Sequence, residues 1–200
     1  MIKPIVEGHG EIEALPILLR KIAGERLQVW DPPILRPGRY PSSRLLKERD
    51  GSWEFGPDLL KAAGHARNEG ANALLILLDA DDLCVKQANA ALAPLLAKAT
   101  GFDASSLVFV VREYETWFLA SAETMLDEAL VYPGDPEARR DAKAELERHL
   151  DLKFPYDERA DQPKYTSRLN LDLCETRSRS FRKLLKEFEQ LLAHSIRANP

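Results

Sequence analysis

Cysteine is scarce in this sequence: only Cys84 and Cys174 occur in 200 residues, far apart and without metal-ligand spacing. That excludes a disulfide framework and a structural zinc, and it suits a reducing compartment. No apolar run is long enough to span a bilayer, and the N-terminus lacks the basic-then-apolar pattern of a secretory signal. The expected location is the cytoplasm, with no membrane partner. A phosphate loop is also missing, because Gly8-His9-Gly10 is not followed by Gly-Lys-Ser/Thr. Internal repeats and low-complexity segments are absent too.

What remains is ordinary globular material. An apolar share of 44% is ample for one core. The net charge of −4 is unevenly spread. Residues 20–49 carry eight Lys/Arg against three Asp/Glu, and residues 164–200 carry eight against four. Such asymmetry is compatible with a phosphate-binding face beside an acidic site, although charge alone favours a solvated mixed-charge surface.

The hydrophobic pattern alternates between strand and helix. Ile2 to Val6 predicts a first strand, and Ile12, Leu15, Leu18, Leu19 and Ile22 mark one face of a following helix, with Pro16 expected in its first turns. Val29 to Leu35 predicts an edge strand interrupted by Pro32 and Pro33, and "RPGRYPSSR" a loop. A helix over 56–68 leads to "NALLILLD", a continuously apolar run that fits a central strand buried on both faces. A helix over 85–98 and a strand over 106–111 follow. The expected fold is an α/β, mainly parallel open sheet with helices on both faces. Residues 1–122 form its core and residues 123–200 a helical extension packed on it. The apolar stripe from Phe181 to Leu192 reads as core packing.

Two acidic clusters punctuate this pattern at strand ends: "VEGHGE" supplies Glu7 and Glu11, and "LLDADD" supplies Asp79, Asp81 and Asp82. In an open parallel sheet, positions just beyond the carboxyl ends of neighbouring strands converge on one crevice. Carboxylates crowded there raise one another's pKa unless a hard cation neutralises them, and Mg²⁺ commonly uses one or two carboxylates plus water and substrate phosphate. Gly8 and Gly10 would then turn the backbone sharply and leave room for a phosphate. Each piece has a plainer explanation: Asp82 as a helix N-cap, His9 as an exposed loop residue.

The ordered motifs E-G-x-x-E and D-x-D, each after a strand, resemble the TOPRIM domain of topoisomerases, primases and overcoming-lysogenization-defect nucleases. More narrowly, "VEGHGEIEALPILLRKI", "LLILLDADD", "VREYETWFLAS" and "SRSFRKLL" resemble a TOPRIM-like family of small bacterial proteins, domain of unknown function 4276. The resemblance implies that Glu7, Asp79 and Asp81 are catalytic and, with Glu11, bind Mg²⁺ or Mn²⁺. Asp82 and Glu115 are further acidic candidates. It lacks the zinc-binding cysteines of primases and the nucleophilic tyrosine domain of topoisomerases, which leaves phosphodiester hydrolysis as the simplest chemistry.

The leading expectation is therefore a Mg²⁺-dependent nuclease acting on DNA or RNA in a phage-defence or DNA-repair setting. Arg36, Arg39, Arg44, Arg112, Arg177, Arg179, Arg182 and Lys183 are candidates for gripping phosphates, and Tyr40 for stacking on a base. A non-catalytic partner or regulatory subunit of an ATPase is the alternative, and a homodimer is compatible with either. A receiver-like phosphoacceptor ranks last, because no lysine clearly follows the final strand.

Overall fold

The computed structural model describes residues 1–49, 52–126 and 130–198. Strand β1 (Ile2–Val6) leads into helix α1 (Gly10–Leu27), and the chain returns through the short strand β2 (Gly38–Arg39). One helical turn, α2 (Ser42–Leu45), precedes an antiparallel hairpin of β3 (Leu46–Arg49) and β4 (Ser52–Phe55). Helix α3 (Pro57–Asn68), strand β5 (Ala73–Asp79), helix α4 (Val85–Thr100) and strand β6 (Ala104–Val110) complete the alternating part. The regular elements described beyond it are helical: α5 (Glu115–Ala120), a 3₁₀ turn over Ala122–Thr124, α6 (Ala142–His149), α7 (Glu158–Arg168), α8 (Leu171–Arg177) and α9 (Arg179–Arg197).

The main sheet runs β2-β1-β5-β6, and every pairing in it is parallel. The period of two sorts its side chains between two cores. Ile2, Val6, Leu75, Leu77, Val108 and Val110 pack against α1, α5 and the C-terminal helices. Ile5, Leu74, Ile76, Leu78, Leu107 and Phe109 pack against α3, α4 and the hairpin. Ala73 through Leu78 are all buried, as the uninterrupted apolar run predicts for a strand covered on both faces.

The C-terminal helices share the first of these cores. Phe181, Leu184, Phe188, Leu191 and Leu192 of α9 are buried in it together with Tyr165 of α7 and Cys174 of α8. At about 1.5–3 kcal/mol for each large apolar side chain removed from water, this stripe ties the tail firmly to the sheet. Among the described residues no helix is long and apolar enough to cross a membrane.

Three details depart from the sequence pattern. Only Ile34 of the segment 29–35 bridges to β1, opposite Ile2, because Pro32 and Pro33 bring no amide to a ladder. The edge strand forms instead at Gly38–Arg39, inside the stretch expected to be a loop. Residues 114–130 are apolar on one face and read from the sequence as helical; they split into α5 and the 3₁₀ turn, and the segment 127–129 falls outside the described residues.

Candidate functional site

The topology creates a crevice before any side chain is considered. Helix α1 carries the chain from β1 outward to β2, and α4 carries it from β5 outward to β6, while β1 and β5 are neighbours. The loops after β1 and β5 therefore part, and the gap lies over the carboxyl ends of the strands, where open α/β sheets bind ligands. A cleft of about 330 Å³ opens there. Eight carboxylates line it (Glu7, Glu11, Asp79, Asp81, Glu113, Glu115, Asp141 and Glu158), with Lys143 as its single cationic side chain.

Strand parity fixes where the first acids point. Glu7 continues the face of Ile5 and reaches α2, where Oε1 accepts hydrogen bonds from the Ser42 hydroxyl at 2.6 Å and the Ser42 amide at 3.4 Å. Asp79 continues the face of Leu75 and Leu77 toward α1 and α5, and its Oδ1 is buried without a hydrogen-bond partner. Burial first, then the charges of Glu11 and Glu115, hold its pKa well above the usual carboxylate range. Asp81 is exposed at the mouth and takes a left-handed backbone, φ 47°. Its amide donates to the Arg112 carbonyl at 3.0 Å while the Arg112 guanidinium donates to the Asp81 carbonyl at 2.9 Å. That reciprocal clamp secures the loop after β5.

Glu11 is buried, and Oε2 accepts the amides of Glu7 at 3.0 Å and Gly8 at 2.8 Å. Its other oxygen, Oε1, is buried without a partner. Burial pushes its pKa up to about 7 against the opposing pull of the Gly8 amide. Glu115, at the start of α5, is also pushed up to about 7, mainly by burial. Gln162 of α7 donates to its Oε1 at 3.3 Å, and the buried Tyr156 hydroxyl faces it without a bond of ordinary geometry. Glu113 is raised by burial as well and accepts the Lys143 amide at 3.0 Å.

The two glycines of the first motif act differently from expectation. A Cβ on Gly10 would stand 2.3 Å from Gln162 Oε1 and 2.4 Å from the Glu158 carbonyl. Gly10 thus makes room for α7, not for a phosphate. Gly8 would meet only the Glu11 carboxylate, at 3.4 Å, and neither glycine has a positive φ. His9 is exposed and makes no side-chain cap to α1.

A family model for a domain of unknown function, DUF4276, matches residues 6–189. The chain belongs to this family. The match takes in both acidic motifs of the DUF4276 member and its helical tail up to most of α9. No curated protein and no solved structure matches the chain.

Several sequence-derived candidates lie outside the cleft. Asp82 turns to the rim and pairs with Arg112 at 2.8 Å and Arg140 at 2.9 Å. Arg36 pairs with Glu13, Arg44 holds Asp58 through two nitrogens, Arg177 pairs with Glu123, and Lys183 with Glu187. Arg182 donates to the carbonyls of Glu175 and Thr176, and Arg179 to the buried Glu137. Arg39 has no carboxylate partner among the described residues, and it reaches the Glu7 carbonyl at 3.5 Å. Tyr40 bonds the ring of His65 at 2.8 Å.

Asp141, Lys143, Glu158 and Gln162 were not singled out in the sequence. They come from α6, α7 and the residue preceding α6, and no local pattern in the sequence ties these helices to β1. The donor set of the cleft is entirely hard oxygen, and two of its buried carboxylate oxygens lack partners, which suits a divalent cation such as Mg²⁺. Among the described residues, however, no three His, Cys, Asp or Glu side chains are arranged to hold one ion as they stand. An ion in this cleft would use one or two carboxylates and fill its remaining positions with water and ligand oxygen.

Proposed function

We propose that this DUF4276 protein is a Mg²⁺- or Mn²⁺-dependent phosphodiester hydrolase acting on nucleic acid. One observation carries the proposal: carboxylates from β1, α1, β5 and α5 converge at a topological switch point, and two of them bury an unpartnered oxygen. Unneutralised, that cluster would repel a phosphate; Asp79, Asp81, Glu7 and the free oxygen of Glu11 are the groups that would hold a cation there. Such an ion supplies activated water and charge neutralisation for a phosphodiester.

The protein's own contribution is placement and proton holding. Glu11 fixes the loop after β1 by gripping two of its amides, and Ser42 orients Glu7. Glu115, with a pKa near 7, can hold or release a proton at Oε1 or Oε2 within the cleft. Arg39 stands at the rim to meet a flanking phosphate. The alternative, a non-catalytic subunit beside an ATPase, draws on the absence, among the described residues, of three carboxylates already arranged around one ion.

Purified protein with Mg²⁺ or Mn²⁺ is expected to cleave DNA or RNA, and Asp79→Asn or Glu7→Gln to abolish cleavage. Activity that survives both substitutions rules the assignment out.

A further inference from the structure

A second cavity, of about 370 Å³, adjoins the acidic cleft and shares Asp79 and Asp81 with it. Its character is different. Leu46, Trp53, Leu83 and Phe109 give it apolar walls, and Ser42 links the two spaces by donating to Glu7 at 2.6 Å. The hairpin β3–β4 brings Trp53 to this position, and the indole is half-buried there. The volume falls in the roughly 300–1,000 Å³ range of small-ligand pockets.

We infer that this cavity receives one nucleobase of the substrate, stacked on Trp53, while the adjoining phosphate lies over the carboxylates. The inference rests on the hydrolase proposal and narrows its substrate to single-stranded or unpaired nucleic acid. Glu48, Asp82, Ser42 and Ser43 also line this cavity, so a base edge can find polar partners there. An apolar wall that includes an aromatic ring suits the face of a base, and stacking of this kind tolerates any sequence. A base inside a duplex has both faces covered by its neighbours and cannot enter without being extruded. The shared aspartates put the two spaces side by side, as the base and phosphate of one nucleotide require.

The test uses the full chain with Mn²⁺ and one oligodeoxynucleotide, offered as a single strand and as a blunt duplex. Single strand is expected to be cut at least ten-fold faster than duplex. Trp53→Ala should lower kcat/KM on the single strand at least ten-fold, and Trp53→Phe, which keeps a stacking ring and the hairpin packing, should recover most of it. A Trp53→Ala protein with wild-type single-strand cleavage, or equal cutting of duplex, overturns the inference and leaves the hydrolase proposal standing.

If no nucleic acid is cut, the hydrolase proposal fails and the cavity is read directly. In a Trp30→Phe background, with excitation selective for tryptophan, only Trp53 and the buried Trp117 emit. Saturable quenching by adenosine monophosphate, absent when Trp53→Phe is added, supports a base site, and no quenching eliminates it.

Discussion

The Glu11 carboxylate accepts the Gly8 amide at 2.8 Å, so the second acid of the first motif is a brace for the loop that carries the first. An Ala at position 11 strands the half-buried amides of Glu7 and Gly8, at a cost of up to about 1 kcal/mol for each lost bond. Gln keeps an accepting oxygen in place. Glu11→Ala is therefore expected to lower Tm by several degrees and Glu11→Gln to leave it near or above wild type, as read by thermal unfolding without metal.

The same cluster predicts an unusual pH dependence. Glu11 and Glu115 have folded-state pKa values near 7 against about 4.5 for a free glutamate, and Asp79 is raised too. Between those limits the folded protein binds more protons than the unfolded chain, so stability falls as pH rises. Without divalent cations, Tm should be higher at pH 5.5 than at pH 8, by on the order of 5 °C. Mg²⁺ should stabilise the protein more at pH 8 than at pH 5.5, because it competes with those protons. A metal-free Tm that rises over this interval contradicts the electrostatics described for the cleft.

Gly10 tests how closely the helical tail approaches the motif. Gly10→Ala drives a methyl into Gln162 and the Glu158 carbonyl, an overpacking expected to cost about 1–3 kcal/mol. Shortening the side chain with Gln162→Ala should restore little of it, since the backbone carbonyl remains. Urea midpoints of the single and double variants provide the comparison.

Glu137 is a buried anion at the start of α9, accepting the Ser180 amide at 2.9 Å and the Ser178 hydroxyl at 2.8 Å, with Arg179 at 3.0 Å. These bonds outweigh the effect of burial and hold its pKa below the usual value. Glu137→Ala should destabilise by about 2–4 kcal/mol, whereas Arg179→Ala, at a largely exposed side chain, should cost under about 1 kcal/mol.

Among the eight basic candidates, Arg39 should matter most for nucleic-acid affinity. Removing one phosphate contact reduces the slope of log affinity against log salt by about one. Arg39→Ala is expected to show that change in fluorescence-anisotropy titrations, and Arg177→Ala, whose guanidinium is spent on Glu123, is not.

The sheet was legible because its strands carry strong local signals. Ala73 to Leu78 is apolar at every position, and Glu7 and Asp79 stop their runs abruptly. The hairpin gave little signal, since β3 reads Leu-Lys-Glu-Arg and places three charges in a four-residue strand. The cleft was half legible for a related reason. Acids that end strands announce themselves, but Glu158 and Gln162 reach the cleft only because α7 packs along α1, a contact over a long sequence separation that no local periodicity encodes. The pairing of cations was illegible as well: Arg44 and Asp58 look like unrelated surface charges until α2 and α3 are brought together.

The approach of α7 to Gly10 also bears on modularity. Because the tail helix forms a wall of the cleft and seals the start of α1, a fragment ending near residue 122 would keep the sheet yet lose Lys143, Glu158 and Gln162. Its acids would face open water, and burial would no longer hold the pKa values of Glu11 and Glu115 near neutrality. The sheet and the helical tail of this protein are not separable parts, and shuffling either onto another scaffold would forfeit the cleft.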